Sequence, residues 1–248
     1  MSPVEAERAG SVLRVTLARA ERRNAFDAAL IGELIETFAD VGDARAVVLA
    51  GAGVDFCAGA DIAWMRASIE LSEEDNVADA LRMRSLLEAI DRCPAPVVAR
   101  VQGRALGGGA GLVACADVAV AAEDAVFAFS ETKLGLTPAV ISPFVIAKIG
   151  ASAARRYFLT GERFDATTAL RIGLVHEVTP DLDDAVERLV EELLGGGPEA
   201  VRAAKRLVLD RPDAEETARR IAERRSSLEG QEGLLAFLER RLPRWRDP

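Results

Sequence analysis

Three observations in the amino-acid sequence predict an α/β fold. Short, continuous apolar runs recur through roughly the first 135 residues, each too short to be a helix. Stretches with helical spacing separate them, and strands alternating with helices imply βα-type units around a largely parallel, buried sheet. From about Pro138 onward the pattern is nearly all helical.

Leu13, Val15 and Leu17 alternate with Arg14 and Thr16, which predicts a half-buried strand. A turn around Arg22-Arg23-Asn24 follows. Asp27 can then cap a helix whose Leu30, Ile31, Leu34, Ile35 and Phe38 fall on one face. Ala46 to Ala50 reads as a strand covered on both sides. A loop with Gly51, Gly53 and Gly59 leads into a helical pattern from about Asp61 to Asp91, ended by Pro94 and Pro96. Val97 to Val101 is a second buried strand, and Val118 to Ala121 with Val126 to Phe129 makes a third apolar unit. Gly195-Gly196-Gly197-Pro198 separates two C-terminal helices, with glycine ending one and proline opening the next. No linker is long enough to divide the chain into independent domains.

The 248 residues suffice for a sizeable core, and 50% apolar, 29% charged and 5% aromatic residues make an ordinary globular composition. Acids outnumber bases by 40 to 31, for a net charge of −9. That balance argues against a nucleic-acid or anionic-membrane binder, while leaving room for a small anion held by a few arginines. Only three cations are lysines (Lys133, Lys148, Lys205), which we read as coding bias. Cys57, Cys93 and Cys115 form no C-x-x-C pair and suggest reduced thiols in a cytoplasmic protein, with neither a disulfide framework nor a zinc site. The N-terminus lacks a signal-peptide pattern. Ala105 to Ala122 carries one charge, Asp117, but is rich in glycine and reads as buried core rather than a membrane span. The single histidine, His176, lies in an apolar run and no G-x-S-x-G elbow accompanies it, so it is taken as structural.

Gly107-Gly108-Gly109 stands out because each glycine costs a helix about 1 kcal/mol against alanine. Close helix–sheet packing is one reason for such a run. The other is a backbone that must approach a ligand, with the helix N-terminus facing an oxygen that carries negative charge. The spacing fits neither a dinucleotide fingerprint nor a P-loop. The loop Phe56-Cys57-Ala58-Gly59-Ala60-Asp61 also joins a buried strand to a helix, and two such loops on neighbouring strands can form a two-donor oxyanion hole. Asp61 serves there chiefly as a helix cap. Glu131, in Phe129-Ser130-Glu131-Thr132, ends an apolar run. It is either an exposed acid at a strand end or a carboxylate whose charged form is disfavoured and which is therefore suited to proton transfer.

Taken in order, Ala58-Gly59-Ala60-Asp61, Gly103-x-Ala105-Leu106-Gly107-Gly108-Gly109, and Glu131 with Gly135-x-x-Pro138 resemble the enoyl-CoA hydratase/isomerase (crotonase) superfamily. Leu159-Thr160-Gly161, Ala169-x-x-x-Gly173-Leu174-Val175 and the closing Glu229-Gly-x-x-Gly233-x-x-Ala236-Phe237 extend the likeness over about residues 11–245. The resemblance implies a spiral core of ββα units over residues 1–195 and a helical region over 196–248 that assembles homotrimers, usually paired into homohexamers. It implies an acyl-CoA thioester substrate, with no metal or redox cofactor. The backbone N–H groups of Ala60 and Gly108 would hold the thioester oxygen, and Glu131 would be the catalytic carboxylate. Coenzyme A would run along Arg22, Ala58, Ala60, Asp61, Ile62 and Gly108. Arg22, Arg23, Arg240 and Arg241 are the cations available for its phosphates, the last two from a neighbouring subunit.

One departure matters. Hydratases of this superfamily typically use two glutamates, and the position of the first is Gly111 here. Losing a general acid or base commonly costs a factor of about 10²–10⁴. Three readings follow: a hydratase in which Glu131 activates water, a double-bond isomerase that shuttles a proton on Glu131 alone, and a CoA-thioester binder without efficient turnover. Gly59 to Met65, Gly109 to Ala114 and Pro138 to Pro143 look similar to bacterial hydratases of the 3-methylglutaconyl-CoA type, which tolerate a small residue at the first glutamate position. Ala139, Val140 and Ile141 replace the glycine-rich stretch of commoner hydratases, so the acyl pocket is expected to differ in shape.

Overall fold

In chain order, the computed structural model, which describes residues 2–246, contains β1 (Val4–Ala9), β2 (Val12–Leu17), α1 (Ala28–Ala39), β3 (Ala46–Gly51), α2 (Ile62–Ser68) and α3 (Glu73–Asp91). Next come β4 (Val97–Val101), β5 (Arg104–Leu106), α4 (Gly108–Cys115), β6 (Val118–Ala122) and β7 (Val126–Ala128). A 3-10 turn over Glu131–Leu134 leads into α5 (Ser142–Thr160), β8 (Phe164–Asp165), α6 (Ala166–Arg171) and β9 (Glu177–Thr179). The chain then runs through α7 (Leu182–Gly195), α8 (Pro198–Asp210), α9 (Ala214–Ser226) and α10 (Leu228–Glu239).

Six strands form the main sheet in the order β1-β2-β3-β4-β6-β9, parallel except for the β1–β2 hairpin. Successive strand residues point to opposite faces. Val47 and Leu49 of β3 therefore join Leu30, Leu34, Leu86 and Leu87 of α1 and α3 in the larger core. Val48, between them, joins Val98 and Val120 against Leu182, Ala185, Val186 and Val190 of α7. Both faces are covered, which is why these strands read as continuous apolar runs. Each buried Leu or Val in that second layer stabilises the sheet by roughly 1.5–3 kcal/mol. A smaller sheet, β5-β7-β8, stands beside the first and carries the chain towards Glu131.

Most expected elements form where the pattern placed them, and Asp27 caps α1 by accepting the Leu30 N–H at 2.9 Å. Three differ. The helical stretch expected over 61–91 is two helices, because Ser72 accepts the Asp75 N–H and caps α3 afresh, with Glu73, Glu74 and Asp75 complementing its N-terminus. The N-terminal segment is an edge strand in which Val4 alone is buried, so it lacks apolar alternation. Beyond Pro138, two strands of two and three residues, β8 and β9, interrupt the helices. None of the described helices is long and apolar enough to cross a membrane.

Candidate active site

The loop after β3 is held by a buried polar scaffold. Asn24, fully buried, donates to the carbonyls of Ala52 and Asp55 at 2.9 and 2.8 Å. Asp55 accepts two hydrogen bonds from the Arg104 guanidinium at 2.7 and 2.8 Å, and a third from the Arg104 backbone N–H. Burial by itself would raise the Asp55 carboxyl, but the Arg104 hydrogen bonds and charge outweigh it and hold the group below its ordinary value. Asp61 accepts the Ala63 N–H at 2.8 Å, capping α2, and pairs with Arg19 at 3.2 Å. Its carboxylate is turned inward, so the cap is what the side chain does, and a substrate contact from that side chain is not supported.

This scaffold aims one N–H group. Phe26 donates to the Gly59 carbonyl and accepts the Asp61 N–H, both at 2.8 Å. Such a parallel bridge uses the groups flanking Ala60 and leaves the N–H of Ala60 itself on the side away from Phe26. A second donor comes from α4. Gly108 is its first residue, and the N–H groups of a first helical turn have no intrahelical acceptor. Ala60 and Gly108 line the same cavity of about 290 Å³.

Each glycine in the run 107–109 has its own cause. Gly107 caps α4 at φ 52°, and a Cβ there would lie 3.3 Å from Oε1 of Glu131. At Gly108 a Cβ would meet Cε of Met83 at 2.9 Å and the Phe26 ring at 3.0 Å. At Gly109 it would strike the Cys57 carbonyl oxygen at 2.3 Å, so the two loops approach only because this residue has no side chain. Close packing therefore accounts for Gly108 and Gly109, and the positive φ of the cap for Gly107.

Glu131 opens the 3-10 turn and faces that cavity. Its Oε2 is buried without a hydrogen-bond partner, and burial pushes the carboxyl above the usual glutamate range. A carboxyl raised in this way is better suited to taking and returning a proton than an exposed one. The position of the absent first glutamate, Gly111, is buried in α4, and a Cβ on it would lie 2.6 Å from Cγ2 of Ile141. The Ile141 side chain occupies the space a glutamate would need.

The remaining candidates lie around this centre. Ala58 is half-buried and donates to the Arg23 carbonyl at 3.0 Å, and Arg22 and Ile62 are exposed, Ile62 by 78%. Arg240 ends α10 in a left-handed conformation, and Arg241 is bound to Glu232 and Glu239 of that helix. Neither arginine lines the cavity of this chain. His176 accepts the Ala119 N–H at 3.0 Å through Nδ1 and ties β9 to β6, away from the cavity. Cys57 is buried, which pushes its thiol up to about 12 and leaves it inert.

Sequence reasoning passed over one wall. Asn76, Asp79, Ala80 and Met83 of α3 line the cavity together with Trp64 and Met65 of α2. The α3 positions lie three, four and seven residues apart, one face of a helix. That stripe was visible as periodicity, but nothing in the pattern distinguished a cavity face from a solvated one.

The whole-chain comparisons agree with this geometry. Residues 7–248 match the family model for enoyl-CoA hydratase/isomerase. The solved structure of an enoyl-CoA hydratase from Shewanella pealeana superposes with a TM-score of 0.93 at 41% identity, covering 98% of this chain and 96% of that one. Enoyl-CoA hydratase AKT6-1 of Alternaria alternata is 35% identical over 227 residues, 88% of this chain and 74% of that protein. Human mitochondrial Delta(3,5)-Delta(2,4)-dienoyl-CoA isomerase is 35% identical over 210 residues, 78% of this chain and 64% of that protein. With the crotonase fold, the two glycine-bearing loops and a match along almost its full length, the chain belongs to the enoyl-CoA hydratase/isomerase family and is an enzyme of the enoyl-CoA hydratase type.

Proposed function

We propose that the protein adds water across the 2,3 double bond of an enoyl-CoA. One observation carries this reading: Glu131, whose Oε2 is buried without a hydrogen-bond partner, shares a cavity with Ala60 and Gly108. The two N–H groups take the thioester oxygen and stabilise the enolate that forms when water attacks C3, each donor of such a hole being typically worth about 3–4 kcal/mol. Glu131, ionised, accepts one proton from the water and returns it to C2. Coenzyme A enters as part of the substrate, along Arg22 and Ala58 to Ile62. Arg240 and Arg241 reach its phosphates from a neighbouring protomer of a homotrimer or homohexamer.

For the acyl group we propose a short branched chain of the 3-methylglutaconyl type. The support is the likeness of the α2, α4 and Pro138–Pro143 segments to that subgroup, and the bulk that Val140 and Ile141 bring to the cavity. No lysine or arginine is among the described lining residues, and the Ser68 hydroxyl and Asn76 amide already donate to the carbonyls of Met65 and Ser72, so Thr137 is the neutral donor left for a distal carboxylate. The isomerase reading rests on Gly111, which removes the usual second glutamate and leaves Glu131 free to shuttle a proton between C2 and C4.

A substrate panel separates these readings. With trans-2-enoyl-CoA and 3-methylglutaconyl-CoA, the conjugated enoyl absorbance should fall as water adds, and the branched substrate should show the higher kcat/KM. A rise in that absorbance from 3-enoyl-CoA, with no hydration of either conjugated substrate, would establish the isomerase instead. Tight binding of all three with no spectral change would leave a thioester-binding protein.

A further inference from the structure

We propose that Asp79 holds the attacking water, supplying from α3 the second carboxylate that Gly111 leaves out of α4. This rests on the hydratase reading above. Hydration places two demands on the water: one O–H proton must leave as oxygen bonds to C3, and the oxygen lone pair must point at C3 while it does. Glu131 meets the first. A second acceptor for the remaining O–H proton meets the other, because a water fixed at both protons has its lone pair aimed.

The cavity restricts where that acceptor can be. On the α4 wall, Gly111 has no side chain and its surroundings are Ile141 and Leu87, both apolar. Among the described lining residues the acids are Glu131 and Asp79. Asp79 lies on the α3 stripe one turn N-terminal to Met83, and the Met83 methyl sits against Gly108, the second oxyanion donor. Four residues rise about 6 Å along the axis, and helical side chains lean towards the N-terminus. The Asp79 carboxylate thus lies about one turn of α3 away from the Gly108 end of the cavity that it shares with Glu131.

Asp79 is also available. The acid one turn before it is engaged, since Asp75 receives the Ser72 hydroxyl at 2.6 Å. Asp79 has no such partner among the described residues, and it is half-buried at the cavity. In the step, the water oxygen bonds to C3 and one water proton passes to Glu131. The π pair moves towards the thioester oxygen and then collects the Glu131 proton at C2. The second water proton stays on the new hydroxyl, hydrogen-bonded to Asp79.

The test compares two reactions of the same protein. Hydration of an enoyl-CoA needs the held water, whereas exchange of the C2 protons of a saturated acyl-CoA in D2O needs only Glu131 and the oxyanion hole. Asp79→Ala and Asp79→Asn should lower kcat for hydration about 100-fold, the scale of loss when a reactant is mispositioned. KM should stay within about threefold and exchange within about twofold of the wild type. Asp79→Glu should recover part of the loss. Unchanged hydration in Asp79→Ala, or an equal fall of hydration and exchange, would overturn the assignment. Failure of the wild type itself to hydrate any enoyl-CoA would instead remove the hydratase reading beneath it.

Discussion

The Glu131 carboxylate has a buried oxygen with no partner, and that feature ties activity to stability. Burial raises its folded-state pKa above the value in the unfolded chain, so the folded state holds the proton more tightly. Stability is then highest below the unfolded value and falls as pH rises through the folded one, because the ionised form is the one the site disfavours. Replacing the acid by its neutral isostere removes that cost. Glu131→Gln should therefore raise Tm at pH 8 relative to the wild type, with the gain shrinking to nothing as pH falls below the ordinary glutamate value. Thermal melts at several pH values read this directly, and a lower Tm at pH 8 would contradict it. The same variant should lose about 10²–10⁴ in kcat while its affinity for an acyl-CoA is retained. In the wild type, kcat should fall on the acid side with a midpoint above the usual glutamate range, since the base must be ionised.

At the scale of elements, α4 and the segment before α5 form an interlocked pair. Gly111 and Ile141 cannot both carry a side chain of ordinary size, since a Cβ on Gly111 would sit 2.6 Å from the Ile141 methyl. Gly111→Glu alone should destabilise the protein by about 1–3 kcal/mol through overpacking. Gly111→Glu with Ile141→Gly should recover stability relative to the single variant and place a glutamate where two-glutamate hydratases carry one. Chemical denaturation checks the first part, and equal stability of the two variants would show that Ile141 is not the obstacle. Much of this pair was legible beforehand: the glycine run, the missing acid and the bulk at 139–141 are all local features of sequence. That Ile141 fills the space of the missing side chain was not legible, since it depends on a contact across 30 positions. Asp79 was hidden for a related reason. Its helix reads as a solvated amphipathic stretch, and only tertiary packing makes one of its faces a wall of the cavity. The start of α3 was missed because the local cap at Ser72 overrode an apolar rhythm that seemed continuous.

At the scale of the whole molecule, the C-terminal helices carry more apolar surface than the chain itself covers. In α8, α9 and α10 the single buried residue is Ala236. Val208 is 74% exposed, Phe237 81% and Leu238 74%, while Leu207, Ile221, Leu234 and Leu235 are also exposed. These helices are nonetheless anchored. Arg45 donates to the carbonyls of Gly196 and Trp245 at 2.8 and 3.0 Å, and Lys205 pairs with Asp117 at 2.7 Å. An anchored element with uncovered large side chains is suited to a second copy of the chain, and covering each one contributes roughly 1.5–3 kcal/mol. If the proposed assembly forms through this face, light scattering behind size exclusion should give three or six times the monomer mass. Val208→Asp with Phe237→Asp should reduce that to the monomer with its far-UV circular dichroism kept, because neither side chain supports the fold. The double variant should also bind CoA thioesters more weakly, since Arg240 and Arg241 would no longer reach a neighbour's substrate. A wild type that runs as a monomer at micromolar concentration would remove the assembly and, with it, the neighbouring arginines from the proposed site.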